Sequence, residues 1–143
     1  MLTLLVAGCS SFNREWRQAY QAPAPLDSLE GRWEGRWSSD ANGHNGNLRC
    51  LITRKKDGDY AAWFRATYMR VLHFSYTVSL QAESRDGIWQ FRGEEDLGKL
   101  SGGIYRYVGS ATEANFHSTY QSEYDHGIFE LKRRPAGKKT GRQ

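Results

Sequence analysis

The stretch that decides the fold is Leu29–Ser38, LEGRWEGRWS. Its odd positions are Leu29, Gly31, Trp33, Gly35 and Trp37. Its even positions are Glu30, Arg32, Glu34, Arg36 and Ser38. Apolar residues or glycine on one side and charged or polar residues on the other make the period-2 pattern of a half-buried strand. A helix would scatter both tryptophans and all four charges around its circumference.

The alternation recurs downstream. Asn47 to Lys55 sets Leu48, Cys50 and Ile52 against Asn47, Arg49, Leu51 and Thr53. Asp59 to Thr67 places Tyr60, Ala62, Phe64 and Ala66 on one face, with Trp63 and Arg65 on the other. Val71 to Gln81 opposes Leu72, Phe74, Tyr76, Val78 and Leu80 to His73, Ser75, Thr77 and Ser79. Trp89 and Phe91 oppose Gln90 and Arg92, and Phe116, Ser118 and Tyr120 oppose Asn115, His117 and Thr119. For Ile104 to Gly109 the inward face is either Ile104, Arg106 and Val108 or Tyr105 and Tyr107. Ile128 to Arg134 closes the series before Pro135. Asn42-Gly43, Asn45-Gly46, Asp57-Gly58 and Asp86-Gly87 mark turns, because these pairs tolerate positive φ. About eight strands joined by short turns, with no crossover segment, predict an all-β, antiparallel up-and-down barrel over residues 27–134. Closure removes the sheet edges that would otherwise invite association.

A chain of 143 residues supports one such domain. Six of the 20 Lys and Arg lie between Lys132 and Gln143, where there is no acid, leaving 14 basic against 16 acidic residues in the body. A basic tail over 135–143 on a near-neutral domain argues against a nucleic-acid-binding face on the fold itself.

The N-terminus reads MLTLLVAGCSS. Val6-Ala7-Gly8-Cys9 resembles the lipobox of bacterial lipoproteins, in which the signal is cut before a cysteine that carries a lipid. The resemblance implies that residues 1–8 are a signal remnant, that Cys9 is lipidated, and that the protein is membrane-anchored in the cell envelope. Ser10 fits outer-membrane or periplasmic-face placement. The apolar run is shorter than the roughly 7–15 residues of a signal core and no Lys or Arg precedes it, so the true start is expected upstream. Residues 9–26 read as a tether with a semi-rigid Ala22-Pro23-Ala24-Pro25 spacer. Phe12, Trp16 and Tyr20 in it also have the spacing of one helix face.

Gly31-Arg32-Trp33, eight meandering strands and a late basic residue, Arg133 or Arg134, resemble the lipocalin and calycin barrels. In that group the first-strand Trp packs across the closed end and a late Arg lies over it. The motif is duplicated here as Gly35-Arg36-Trp37.

Chemistry-bearing patterns are sparse. His44, His73, His117 and His126 have no metal-ligand spacing, no serine sits in a nucleophile elbow, and Glu94-Glu95-Asp96 reads as a solvated charge run. Cys50, on an apolar face, reads as a buried inert thiol, and a Cys9–Cys50 disulfide would compete with lipidation. No enzyme, cofactor or metal is expected. Trp33, Trp37, Phe64, Phe74, Tyr76, Trp89, Phe91, Phe116 and Tyr120 fall on inward faces. They either fill the core or line a cavity for a small hydrophobic ligand. Gly31 and Gly35 leave room beside the tryptophans or permit sharp strand coiling. A carrier of a hydrophobic ligand is the first expectation. A filled barrel that contacts other envelope components is the second.

Overall fold

The computed structural model describes residues 7–22, 24–99 and 102–135, with side chains from Ser11 onward. Eight strands follow one helix: α1 (Ala7–Gln21), β1 (Gly31–Ser39), β2 (Asn45–Arg54), β3 (Tyr60–Tyr68), β4 (Leu72–Arg85), β5 (Ile88–Asp96), β6 (Ile104–Ala111), β7 (Asn115–Gln121) and β8 (His126–Arg134). Each strand pairs antiparallel with the next, and β1 pairs with β8 to close the barrel. The chain is an all-β, up-and-down, calycin-like barrel.

The alternation anticipated for β1 holds from Trp33 to Arg36, while Arg32 on the outward face is buried against α1. Trp33 is fully buried and Glu34 and Arg36 are exposed. On β6 the inward face is the tyrosine face: Tyr107 is buried and Val108 exposed. The short turns use left-handed backbone where the sequence offers it, with Gly58 at φ 93° and Asp86-Gly87 at 55° and 79°.

Gly35, Gly46, Gly109 and Gly127 mark places where backbones of the wall approach too closely for a side chain. A Cβ on Gly35 would meet the Glu130 carbonyl oxygen at 1.9 Å, and one on Gly127 would meet that of Ser38 at 2.0 Å. Glycine at position 35 therefore serves the close approach of β1 and β8. Gly46, which reads as a loop residue, is in β2 for the same reason, set against the Thr67 carbonyl.

Residues 7–21 form a helix docked on the wall, not an extended tether. The Phe12, Trp16 and Tyr20 face explains why: Phe12 is fully buried, edge-on to Trp63 at 5.0 Å, on the outside of β3. Arg49 of β2 lies over Phe12 and Trp16, and Arg32 of β1 over Trp16 and Tyr20, at 4.7–5.3 Å. Arg49 also donates to Asn13. Leu51, on the outward face of β2, is buried in this part of the wall. Of the lipobox, Val6 lies outside the described residues and the Cys9 side chain does too. So do the signal remnant before Ala7 and the basic tail after Pro135.

Candidate functional site

The two ends of the barrel differ. One end is sealed. Trp33 donates its indole N–H to the Leu29 carbonyl at 3.0 Å, which folds the residues ahead of β1 across the bottom. Arg133, in turn, stacks on Trp33 with its guanidinium carbon 4.3 Å from the ring centre. It donates to the carbonyls of Glu113, Glu30 and Ser28 at 2.6–2.7 Å. Burial lowers its pKa, yet the guanidinium remains charged throughout the physiological range. The arrangement selects the first of the duplicated Gly-x-Trp motifs, and Arg133 over Arg134. Arg134 instead reaches outward to Glu34 at 3.4 Å.

Above this floor, Trp33, Phe91 and Phe116 pack ring to ring, 4.7–5.7 Å apart. Trp89 is buried in the same core. The next layer is also occupied. Phe64 contacts Tyr76, Tyr107 and Phe129, and Tyr120 stacks on Phe129 at 5.0 Å. Thus Trp33, Phe64, Trp89, Phe91, Phe116 and Tyr120 come together as packed rings. Trp37 and Tyr76 are partly buried at the edge of that core.

Phe74 is not in the lumen. It has the inward parity of Val78 and Leu80, yet it is exposed at the far end of β4. The cause is strand pairing. β4 pairs with β5 only from Leu80↔Gly93 to Arg85↔Ile88, so Leu72–Ser79 has no β5 partner among the described residues. The wall parts there, and among the described residues Phe74 pairs with Ala66 of β3 and with no residue of β5.

The open end is therefore the site with chemical variety. The Tyr76 and Tyr107 hydroxyls interact with each other, and burial pushes both phenols well above their ordinary range. Tyr120 is raised first by burial and then by Asp125, whose carboxylate lies 3.4 Å from its hydroxyl. Ser39 donates to the same carboxylate at 2.5 Å, which ties the loop after β1 to the loop before β8. Trp37 donates to the Thr67 carbonyl at 3.1 Å and packs near Tyr68, which His44 also faces. Tyr105 and Tyr107 form one of the two faces that the alternation leaves open, and the Ser39–Asp125 pair, which joins turns 86 residues apart, carries no signal in the sequence.

Two open clefts of about 500 and 740 Å³ run along the outer wall and share Gln81, Arg92 and Val108. The first reaches Gly93 and Tyr107, where β4 and β5 part. Among the described residues no group of three His, Cys, Asp or Glu is placed to hold a metal ion. Glu94 pairs with Arg106 at 3.4 Å on the surface. Cys50 is fully buried, and desolvation raises its thiol well above the usual value.

The fold and its unequal ends thus define a cup-like barrel, sealed below and parted above. No protein-family model, no curated protein and no solved structure matches the chain.

Proposed function

We propose that the chain is a lipid-anchored protein of the cell envelope, held through Cys9, and that its lipocalin-like barrel binds a small hydrophobic ligand without catalysis. The observation that carries this reading is the parting of β4 from β5 above Leu80 and Gly93. It leaves Trp37, Phe74 and Tyr76 accessible to different degrees around one opening, while Trp33 and Arg133 seal the other end. An apolar surface with a few hydroxyls is the usual composition of a small-molecule site. The lower lumen is packed, so the ligand sits at the mouth between Trp37 and the Tyr76–Tyr107 pair.

Native mass spectrometry of protein purified gently from its own membrane tests this. A stoichiometric small-molecule mass, with Trp37 fluorescence changing on its removal, is expected. A bare protein mass and unchanged Trp37 emission on titration with lipophilic compounds overturn it. The stacked Phe64, Tyr107, Tyr120 and Phe129 rings favour the reading that would then stand: a filled barrel that meets another envelope component.

A further inference from the structure

The β3–β4 hairpin that flanks the opening ends in an apolar tip. Met69, Val71, Leu72 and Phe74 are 68, 74, 49 and 53% exposed. They fall within six consecutive residues. Leu72 and Phe74 pair with Tyr68 and Ala66, so both turn their side chains to the inner face of a hairpin that overhangs the mouth. At the turn Met69 and Arg70 adopt φ values of 54° and 66°, a left-handed conformation that glycine or asparagine takes more cheaply. A bulky apolar side chain is kept there against the local preference.

The charge of the hairpin is one-sided as well. From Tyr60 to Ala82 there is no Asp or Glu, although the chain holds 16, while Arg70 and His73 are exposed near the tip and Arg65 is buried. Helix α1 crosses the wall from Tyr20, over Arg32 of β1, to Phe12, against Trp63 of β3. Its N-terminal end thus leaves the barrel over this same hairpin. Cys9 precedes Phe12 by about one helical turn, roughly 5 Å. Trp63 lies six residues below the tip, about 20 Å at the usual strand rise. With about 10 Å for the packing of α1 on the wall, position 9 and the tip lie within about 35 Å of each other.

We propose that the β3–β4 tip inserts into the headgroup region of a lipid bilayer and sets the barrel with its opening toward the membrane. Met69, Val71, Leu72 and Phe74 bury apolar surface at the acyl boundary, and Arg70 meets lipid phosphate. An acid-free tip that carries Arg70 suits an anionic surface, and an anchor at position 9 brings that surface within reach. The choice of a bilayer rests on the envelope reading above, yet the contact itself needs no acyl chain.

The test uses the full chain with Cys9→Ser, so that no lipid is attached, and vesicles of phosphatidylethanolamine and phosphatidylglycerol. A Val71→Cys change is labelled with an environment-sensitive fluorophore; Cys50 is buried and does not compete. Emission should shift to the blue on vesicles and be quenched by headgroup-level nitroxide lipid. The same label at Lys56→Cys, at the sealed end, should not respond. In the unlabelled chain Val71→Glu with Leu72→Glu should lower vesicle co-sedimentation about tenfold. Both positions are exposed, so the unfolding midpoint should stay within about 2 °C. An unchanged Val71 label, or co-sedimentation unaffected by the two glutamates, overturns the proposal. Either result leaves Cys9 lipidation standing. A Cys9 found unmodified in cells leaves the vesicle result standing.

Discussion

Replacing Arg133 by alanine removes three charged hydrogen bonds and the cation–π contact on Trp33 in one step. A hydrogen bond to a charged group contributes about 1.5–3 kcal/mol, and a cation–π pair about 1 kcal/mol. The three bonds share one guanidinium, and two of their acceptors, the carbonyls of Ser28 and Glu30, lie at the partly buried edge where water can replace the donor. Desolvation of the charge, visible in its lowered pKa, offsets part of the gain. The net loss should be about 3 kcal/mol, or a fall of about 10 °C in Tm for a domain of this size. Urea unfolding followed by tryptophan fluorescence measures it, with the m value unchanged. Arg133→Lys should recover less than about half, because an ammonium cannot span three carbonyls and stack at once. Arg134→Ala, which breaks only an exposed pair with Glu34, should cost less than about 0.5 kcal/mol. A loss under about 1 kcal/mol for Arg133→Ala, or full recovery by lysine, would refute the clamp reasoning.

Gly35→Ala should unfold the domain or cost more than about 3 kcal/mol, since the added carbon would sit 1.9 Å from the rigid Glu130 carbonyl; circular dichroism on the soluble fraction decides. Phe12→Ala should release α1 and leave the barrel folded. Hydrogen exchange in residues 12–20 should speed up about 100-fold while β1 to β8 keep their protection. Stability should be level from about pH 6 to 8.5 and decline above about pH 9. Cys50, Tyr76, Tyr107 and Tyr120 all have folded pKa values raised by burial, so the neutral forms are favoured in the folded state. Their stabilising contribution is complete below the unfolded values and is lost as pH rises toward the folded ones. Phenolate absorbance should show these three of the eight tyrosines ionising only as the chain unfolds. A thiol reagent should modify Cys50 at the rate of unfolding and no faster.

The eight strands were legible because period-2 burial is a local property, written residue by residue in Leu29–Ser38 and its successors. What sequence could not rank were choices made by partners distant in the chain. Both faces of Ile104–Gly109 carry apolar bulk, and only closure of the ring turns Tyr107 inward. The two Gly-x-Trp copies look alike until Arg133 reaches across to one of them. Phe74 has the correct parity but the wrong height, because strand pairing with β5 stops at Gly93, and no alternation reports where pairing stops. The aromatic face of α1 was visible as a spacing. Its docking was not, since that depends on Arg32 and Arg49 standing outward under the rings. For the candidate site, the aromatic positions could be named but not sorted into filling and lining, which is a question of packed volume.

The closing pair of strands also sets a timetable. β1 meets β8, and Arg133 binds the Glu30 carbonyl 103 residues behind it. Without β8 the other seven strands can form only an open sheet with a bare edge at each side. The floor cannot seal until the last strand arrives. Long-range closure of this kind slows folding and leaves sticky edges exposed meanwhile. The barrel's edges therefore stay open to association until residue 133 is in place, and refolding yield should fall as protein concentration rises.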